Sequence, residues 1–558
     1  MKRNDLKEGN GMRGKKGFIM IIALLLGALM PLGFAPFSLS LIVPLALVAL
    51  LQLTVSQSPR FSALLGLLFG FGFFAWGIFW VRISLVQFGG APLALGSFVA
   101  LLLALYLAFY YSLLLYITKR LGKWLQAAFQ TQESTMSTSK PARSSKSSLI
   151  AFAIQYGLIF PLVGVLLEYL RSILFSGFPW LALGYSFTDL PVSYWLFPQM
   201  GALMASFWVY WIAGLLFLLL RALWGKQFLL YLVPSIAGGV IVALLMVIVS
   251  TISTPIERGN EKIQIALVQG NIPQEMKFSQ AQYQAIIRRY YQLTEKVAPK
   301  VDLIIWPETA IPGIYEDDFS LSTVLRDLSA ESGSTIVTGI FSTEGAQIRN
   351  SIVAYGADSR SDQLYHKVHL VPFGEYIPFR SLLSLFGNMI EIPFADLSEG
   401  TMIQKPLSFM TAQGRFQGGS SICYEAVFGD EARLMGRESD FLINISNDAW
   451  FGDSIGPWQH FQITRARAIE LQKEMVRSTN NGITAWIGSN GQVKAMLPQF
   501  QEGTLEVAVT PIRGMTAYAR LGDLFWSVSF LLLLSLTMLI GRSYCRKLIT
   551  RSSLPATH

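Results

Sequence analysis

Three side chains that could take part in nucleophilic catalysis lie within or just after apolar stretches of this sequence. Glu308 comes after Asp-Leu-Ile-Ile-Trp-Pro, Lys367 lies within Leu-Tyr-His-Lys-Val-His-Leu-Val, and Cys423 ends Gly-Gly-Ser-Ser-Ile-Cys. A thiol with a reference pKa of about 8.5 is mostly protonated at neutral pH, so it needs a base or a cation to become a thiolate. Cys423 is therefore a candidate nucleophile, and Glu308 and Lys367 are further candidates for the same site.

Each of the three also has an ordinary structural explanation. Glu308 could be an exposed loop residue, and Lys367 could be a lysine on the solvent face of a strand. A single cysteine is more often a buried, inert side chain than a nucleophile. Whether these residues are catalytic or structural therefore depends on the secondary-structure elements that surround them.

The composition places the chain in a membrane. Of its 558 residues, 52% are hydrophobic and only 14% are charged, and the mean hydropathy is +0.45. These values are typical of a polytopic membrane protein and exclude an ordinary soluble one. The formal net charge of +9 comes from Lys and Arg at the chain ends and between apolar segments, which indicates topology rather than nucleic-acid binding.

The apolar segments predict eight membrane spans. The first follows a basic stretch, as in a signal peptide, but no small-residue cleavage site follows it, so we expect a retained helix. The predicted spans are long enough for about 30 Å of hydrocarbon and lie near 17–34, 38–54, 61–82, 92–118, 148–174, 201–222, 228–252 and 523–541.

The distribution of positive charge predicts the orientation, because cytoplasmic loops retain Lys and Arg. Alternating spans place the basic segments on one side, which is then the cytoplasm. We predict a membrane domain at 1–256 with about seven helices, an extracytoplasmic domain at 257–520, and a last helix with a cytoplasmic tail at 521–558. The only other cysteine, Cys545, lies in that tail. Cys423 would then be a lone thiol in an oxidising compartment, which is unexpected unless it is used.

The segment 257–520 has the pattern of an α/β domain. Apolar residues recur at helical spacing from Tyr283 to Leu293, and further helices are predicted at 319–331 and 457–474. Alternating strands and helices predict a sheet enzyme with its active residues at strand ends. The predicted strands are 263–268, 302–306, 335–341, 351–355, 364–371, 441–446 and 505–509.

Five ordered motifs stand out in this domain. They are Trp-Pro-Glu-Thr-Ala at 306–310, Lys-Val-His-Leu-Val-Pro-Phe-Gly-Glu at 367–375, Ile-Cys-Tyr-Glu at 422–425, Asn-Ile-Ser-Asn-Asp-Ala-Trp-Phe-Gly at 444–452 and Arg-Ser-Thr-Asn-Asn-Gly at 477–482. These motifs resemble the nitrilase superfamily and, more narrowly, the apolipoprotein N-acyltransferase family. Gly-Phe-Pro-Trp-Leu at 177–181, followed by Gly-Tyr at 184–185, also resembles that family.

The resemblance implies a polytopic α-helical membrane protein with an inserted α/β domain, an αββα sandwich of nitrilase type. It implies that Glu308 is the general base, Cys423 the nucleophile and Lys367 an electrostatic stabiliser. Lys367 and a main-chain amide after Cys423 would stabilise the negative charge that develops on the attacked carbonyl oxygen.

The resemblance also implies the substrates and the location. The acyl donor would be a phospholipid in the bilayer, chiefly phosphatidylethanolamine, whose sn-1 chain forms a thioester on Cys423. The acceptor would be the α-amine of a diacylglyceryl-cysteine in an apolipoprotein, and the product a triacylated lipoprotein. The enzyme would lie in a bacterial inner membrane with its catalytic domain on the periplasmic side. We expect no cofactor, no metal and no nucleic acid.

Further residues match positions that the family uses around the triad. They are Glu375, which we expect to orient Lys367, and Tyr424 and Glu425, which follow the nucleophile. Phe278 stands where the family often has Trp, which puts one lipid contact in doubt. Trp180 could gate substrate or lie at the membrane interface. The apolar segment Ser381 to Phe394 could rest on the bilayer or pack on the domain core.

Two other sites remain possible from the residues alone. His366, His369, Glu375 and Cys423 could bind a metal ion, although strand alternation would turn the two histidines to opposite faces. A Cys/His pair could use His369 or His460, but it would leave the glutamate and lysine without roles.

Two other functions also remain open. A membrane-anchored amidase of the nitrilase class would hydrolyse a small amide, although hydrolysis would not need about seven spans. A transporter or sensor with an external binding domain is possible, but the spans contain almost no internal carboxylates or lysines for an ion path.

Overall fold

The computed structural model describes residues 2–136, 146–223, 228–356, 362–378 and 396–552. Within these ranges, seven helices are long and apolar enough to cross a membrane. Helices α5 and α6 are joined by a π-helical turn, Gln155–Ile159, and form one such span. The helices that precede the strands are α1 Lys2–Leu29, α2 Ile42–Thr54, α3 Pro59–Gly77, α4 Leu93–Met136, α5 Lys146–Ile154, α6 Phe160–Ile173, α7 Ser193–Leu223 and α8 Phe228–Ser250.

The second predicted span, 38–54, is a shorter helix than expected. Helix α2 has 13 residues, which rise about 20 Å at 1.5 Å per residue. Its two ends nevertheless meet opposite ends of the bundle. Just before this helix, Ser38 Oγ donates to Asp189 at 2.6 Å, and Asp189 forms an ion pair with Arg465 of the α/β domain. After it, the carbonyl of Val55 accepts from Lys119 Nζ at 2.7 Å, far along α4. Helix α2 therefore runs from the domain end of the bundle to the opposite end.

Glycines allow α1, α3 and α4 to pack closely. A Cβ atom on Gly70 would lie 2.8 Å from the Cα of Ala108 in α4, and one on Gly72 would collide with the carbonyl oxygen of Leu24 in α1. Small residues at such crossings let helix backbones approach, which is how membrane helices gain packing energy without a hydrophobic driving force.

The segment from 257 to 513 forms two six-stranded sheets and one two-stranded pair. The first sheet has the order β13-β2-β3-β4-β5-β6, the second β12-β11-β10-β9-β8-β7, and β1 pairs with β14. The strands are β1 Glu257–Arg258, β2 Ile263–Gln269, β3 Leu303–Ile305, β4 Thr335–Glu344, β5 Gln347–Tyr355, β6 Gln363–His366, β7 Leu407–Thr411, β8 Gly414–Ile422, β9 Phe441–Ser446, β10 Met475–Thr479, β11 Ala485–Ile487, β12 Val493–Met496, β13 Gly503–Val509 and β14 Ile512–Arg513.

The sheets face each other and helices cover their outer faces. Ile265 of the first sheet and Ile443 of the second belong to one buried cluster. Ile286 and Leu325 pack helices on the outside of the first sheet, and Phe461 does so on the second. The predicted αββα sandwich is thus confirmed, while the limits of the three domains stay a prediction. The remaining helices are α9 Gln274–Lys277, α10 Tyr283–Glu295, α11 Phe319–Ser332, α12 Gly429–Gly436, α13 Gly456–Leu471 and α14 Ala517–Ser552.

The strand predicted at 364–371 is wrong beyond His366. Strand β6 ends there, because the chain turns away from β5 to bring Glu375 back towards Lys367. Strands β1, β7, β8, β10–β12 and β14 were not predicted, because they are either very short or contain Gly, Ser or charged residues that hide the apolar alternation. The apolar segment 381–394 lies outside the described residues.

Candidate active site

Cys423 lies at the end of strand β8, where a 3-10 turn, Cys423–Val427, begins. Its φ of 50° is in the left-handed region, which is uncommon for a residue with a Cβ and costs about 1–3 kcal/mol. The small residues before it belong to the strand rather than to the turn: a Cβ on Gly419 would lie 2.8 Å from the carbonyl oxygen of Met435. Helix α12 thus packs closely behind the strand that presents the thiol.

Glu308 follows strand β3 and is held by donors from three other segments. Its Oε1 accepts from Lys367 Nζ at 3.2 Å and from Asn350 Nδ2 at 2.8 Å. Its Oε2 accepts from the main-chain amide of Asn447 at 2.8 Å. Burial alone would raise the pKa of Glu308, but Lys367 and Lys277 outweigh it and hold this pKa below its usual value. The buried carboxyl is therefore ionised at neutral pH and able to take a proton.

Lys367 lies one residue beyond β6 and is almost fully buried between two carboxylates. Its Nζ donates to Glu375 Oε1 at 2.9 Å as well as to Glu308. Burial would lower the pKa of Lys367, but the two glutamates raise it. The lysine therefore carries a permanent charge. That charge partly opposes the groups that raise the pKa of Cys423.

Asn350 of strand β5 completes this arrangement and was not predicted. Its Nδ2 donates to Oε1 of both Glu308 and Glu375, at 2.8 and 2.9 Å. Glu375 in turn accepts from the amide of Val371 at 2.8 Å. An asparagine within a strand gives no sequence signal for this role, because only the sheet register brings it between the two carboxylates.

The electrostatics of the site favour a protonated resting thiol. Burial, Glu308 and Asp448 raise the pKa of Cys423, and the opposing effect of Lys367 is smaller. The thiol can attack a carbonyl only if its proton is removed at the moment of attack, which is general-base catalysis.

A second polar group lies behind the nucleophile, and it contains His460, which the sequence suggested only as the partner in an alternative Cys/His pair. His460 of α13 places Nε2 at 3.0 Å from the carbonyl oxygen of Cys423 and Nδ1 at 3.0 Å from Asp448. Arg477 Nη2 lies 2.8 Å from the same carboxylate. A carbonyl oxygen only accepts hydrogen bonds, so Nε2 must carry a hydrogen. The nitrogen that faces Cys423 is a donor and not a base.

The residues of the alternative metal site do not come together. His366 Nδ1 lies 2.9 Å from Ser351 Oγ, whereas His369 Nδ1 pairs with Glu431 at 2.8 Å. In the described part of the chain, the one group with metal-ligand spacing is Cys423, Asp448 and His460, and its carboxylate is already neutralised by an arginine.

Glu425 connects the segments that carry the thiol and the lysine. Its carboxyl accepts at 2.5 Å from the amide of Ile422, just before the nucleophile, and at 2.5 Å from that of Val368, just after Lys367. Burial raises the pKa of Glu425 to about 8. Tyr424 is buried, with its hydroxyl 3.4 Å from the carbonyl of Gly177 in the membrane domain.

Trp180 does not lie at the membrane surface. It is 1% exposed, its Nε1 donates to Gln459 Oε1 at 2.7 Å, and its ring packs 5.7 Å from that of His460. The residue is thus buried at the junction between the membrane helices and the α/β domain. The interpretation of Trp180 as a residue of the membrane interface is therefore wrong, because the loop that carries it packs against helix α13 of the α/β domain.

Phe278 is 38% exposed and lies at the end of the short helix α9. The preceding residue, Lys277, is buried and donates from Nζ to the carbonyl oxygen of Glu308 at 2.9 Å; burial lowers its pKa to about 8. Gln274 at the start of α9 accepts from Asn447 at 2.8 Å. The exposed aromatic ring of Phe278 therefore belongs to the residue next to Lys277, which contacts Glu308.

The fold and the site define a membrane-embedded enzyme with a carbon-nitrogen hydrolase domain. The family model described as carbon-nitrogen hydrolase matches residues 264–515, and the one described as apolipoprotein N-acyltransferase N-terminal domain matches residues 26–215. Among solved structures, Nit3 of Saccharomyces cerevisiae, a member of branch 10 of the nitrilase superfamily, is similar with a TM-score of 0.34 and 21% identity over 45% of this chain and 91% of that one.

Curated relatives extend over nearly the whole chain. The apolipoprotein N-acyltransferase of Haemophilus influenzae is 34% identical over 94% of this chain and 96% of its own length. That of Vibrio cholerae is 35% identical over 89% of this chain and 92% of its own length. The chain belongs to the apolipoprotein N-acyltransferase family and is an acyltransferase. This membership excludes the transporter, sensor and amidase alternatives.

Proposed function

We propose that this enzyme transfers the sn-1 acyl chain of a phospholipid, with phosphatidylethanolamine as the preferred donor, to the α-amine of the diacylglyceryl-cysteine of an apolipoprotein. Cys423 carries the chain as a thioester between the two substrates. The observation that supports this most directly is the burial of Lys367 between Glu308 and Glu375, beside a thiol whose proton must be removed for attack.

In the first half-reaction, Glu308 takes the thiol proton while Cys423 Sγ attacks the ester carbonyl carbon. The carbonyl oxygen becomes negative, and the ammonium of Lys367 and the amide of Tyr424 stabilise it. The bond from carbon to the glycerol oxygen then breaks. Glu308 returns the proton to that oxygen, so a lysophospholipid leaves and an acyl-thioester remains.

In the second half-reaction, the acceptor amine attacks the thioester carbonyl carbon. Glu308 takes a proton from the amine nitrogen, the carbon-sulfur bond breaks, and the proton passes to the departing thiolate. The sum is an ester and an amine converted to an alcohol and an amide. No net oxidation occurs and no nucleotide is consumed, which suits a compartment without ATP.

Apolar side chains beside the site support a lipid donor. Met276, Phe278 and Phe373 are each more than a third exposed, and they flank Lys277 and Glu375, two residues that contact the triad. Exposed apolar side chains around a polar site are typical of a surface that meets lipid.

We also propose that the enzyme lies in the bacterial inner membrane with the α/β domain on the periplasmic side. The basic residues Lys119 and Arg221 lie towards the bundle end opposite the domain, the end that the positive-inside rule assigns to the cytoplasm. Six of the seven long spans precede the domain, and the short helix α2 adds a seventh crossing, so an odd number of crossings separates the N-terminal segment from the domain.

The half-reactions can be separated by intact-mass analysis of the full-length enzyme in detergent. Phosphatidylethanolamine labelled in the sn-1 chain should add a labelled, hydroxylamine-sensitive acyl group to Cys423 without any acceptor. A diacylated lipopeptide with a free α-amine should then discharge it, and an N-acetylated lipopeptide should not. Label from the sn-2 chain should stay on the lysophospholipid. Acyl transfer by Cys423→Ala at a comparable rate would contradict the thioester mechanism.

A further inference from the structure

A fully buried hydrogen bond behind the nucleophile is not used in the steps above. His460 Nε2 lies 3.0 Å from the main-chain oxygen of Cys423, and the imidazole has no exposed surface. The contact joins α13 to a residue whose backbone is in the left-handed region, at φ 50°. Such a conformation persists only when surrounding contacts hold it.

The histidine donates this bond in either of its protonation states. Its Nδ1 lies 3.1 Å from Arg477 Nη2, a donor, and 3.0 Å from Asp448 Oδ1, an acceptor. A neutral ring accepts from Arg477, and a charged ring donates to Asp448. Nε2 keeps its hydrogen in both cases, because its partner is a carbonyl oxygen.

The peptide group that accepts this bond also contains the amide of Tyr424. Because a peptide unit is planar and trans, its C=O and N–H point in opposite directions. Fixing the oxygen of Cys423 therefore fixes the direction of the Tyr424 N–H. Tyr424 is the second residue of the 3-10 turn, so the bonds within the turn do not use this hydrogen.

We propose that His460 is a positioning residue that aims the Tyr424 amide at the oxyanion of the tetrahedral intermediate. A hydrogen bond accepted at the C=O also polarises the N–H of the same peptide group and makes it a stronger donor. The chain of contacts runs from Arg477 through Asp448 and His460 to the peptide group behind the thiol. This inference rests on the proposed acyl transfer.

Aromatic rings from both the membrane domain and the α/β domain pack against the imidazole. The ring of Trp180 lies 5.7 Å from it, at an interplanar angle of 34°, and Phe451 lies at 5.7 Å edge-on. These aromatic contacts leave the ring little freedom to rotate away from Cys423, because the surrounding interior is closely packed. The loop of Trp180 thereby contributes to the geometry of the active site without touching the substrate.

The test compares two variants of the full-length enzyme. His460→Leu removes the donor, whereas His460→Gln keeps an N–H near the position of Nε2. Phe461→Leu is the matched control, since this neighbouring side chain is also buried but packs in the apolar cluster on the outer face of the second sheet. For each, two rates are measured: thioester formation with phospholipid, and alkylation of Cys423 by iodoacetamide, which has no oxyanion in its transition state.

We expect His460→Leu to slow thioester formation about 10- to 100-fold. This loss is smaller than the roughly 10²- to 10³-fold loss of rate that follows complete removal of an oxyanion donor. His460→Gln should recover most of the rate, and alkylation should change less than about threefold in both variants, because they leave the thiol in place. Unchanged thioester formation in His460→Leu, a parallel loss of alkylation, or no recovery with glutamine would each overturn the inference. Absence of a thioester in the unaltered enzyme would instead contradict the proposed function.

Discussion

Lys367 is 59 residues from Glu308 in the chain, yet its Nζ donates to Glu308 Oε1 at 3.2 Å. The same ammonium bonds Glu375 at 2.9 Å, so one cation is shared by two carboxylates in a buried site. Only one of these carboxylates is turned towards the amide of Asn447 and the second sheet. The hydrogen bond from Asn447 to Glu308 therefore connects this ion pair of the first sheet to the second sheet.

Glu308→Gln should change two reactions of Cys423 in opposite directions. Thioester formation should fall by about 10²- to 10⁴-fold, because the general base is lost. Alkylation by iodoacetamide should become faster, because the negative charge of Glu308 raises the pKa of Cys423 and its removal increases the thiolate fraction at a given pH. The pH dependence of alkylation should shift to lower pH.

Glu502→Gln is the control for that prediction, since this glutamate is half exposed in a surface pair with Arg289. It should change neither rate. If both reactions of Cys423 slow down in Glu308→Gln, the glutamate acts by holding the structure rather than as a base.

Glu375→Ala should reduce thioester formation, because Lys367 and Asn350 both lose an acceptor. Glu375→Gln should be milder, since its amide oxygen can still accept from one of them. We expect losses of about 100-fold and 10-fold, respectively, as are common when a group that orients a catalytic residue is removed. Acyl-enzyme mass after short incubations measures both, and normal turnover of the alanine variant would contradict the orienting role.

Cysteine labelling in intact cells should reveal how α2 crosses the membrane. In a Cys423→Ala, Cys545→Ser background, a membrane-impermeant maleimide should label Leu41→Cys and Glu261→Cys but not Ser56→Cys. The first two positions lie at the domain end of the bundle and the third at the opposite end, and all three are exposed. Labelling of Ser56→Cys in unbroken cells would show that α2 does not cross.

Gln459→Leu should loosen the junction between the membrane helices and the catalytic domain. Its Oε1 accepts from the indoles of Trp80 and Trp180, at 3.1 and 2.7 Å, and its Nε2 donates to Gly77 at 3.1 Å. Each buried donor left without an acceptor costs about 1–3 kcal/mol. The thermal unfolding temperature in detergent should fall. In Gln459→Glu, which keeps the acceptor for the two indoles, this temperature should fall less.

The sequence by itself was enough for the class of fold and for naming three candidate residues, whose catalytic roles stay a prediction. Apolar segments of span length and a separate α/β pattern determine the membrane and catalytic parts, because burial in lipid or in a sheet core demands continuous apolar runs. Glu308, Lys367 and Cys423 could be singled out because each follows such a run, and the motif resemblance placed them in one family.

Only the tertiary structure decided what surrounds those residues. Asn350, Asp448 and His460 contact the site through sheet register and helix packing. Such contacts link distant positions, as in the bond from Asn447 to Glu308 across 139 residues and the bond from Trp180 to Gln459 across 279 residues. Trp180 became a buried contact of α13 for the same reason. A polar residue in a strand or helix looks the same in sequence whether it faces water or a carboxylate, because its partner is supplied by another part of the chain.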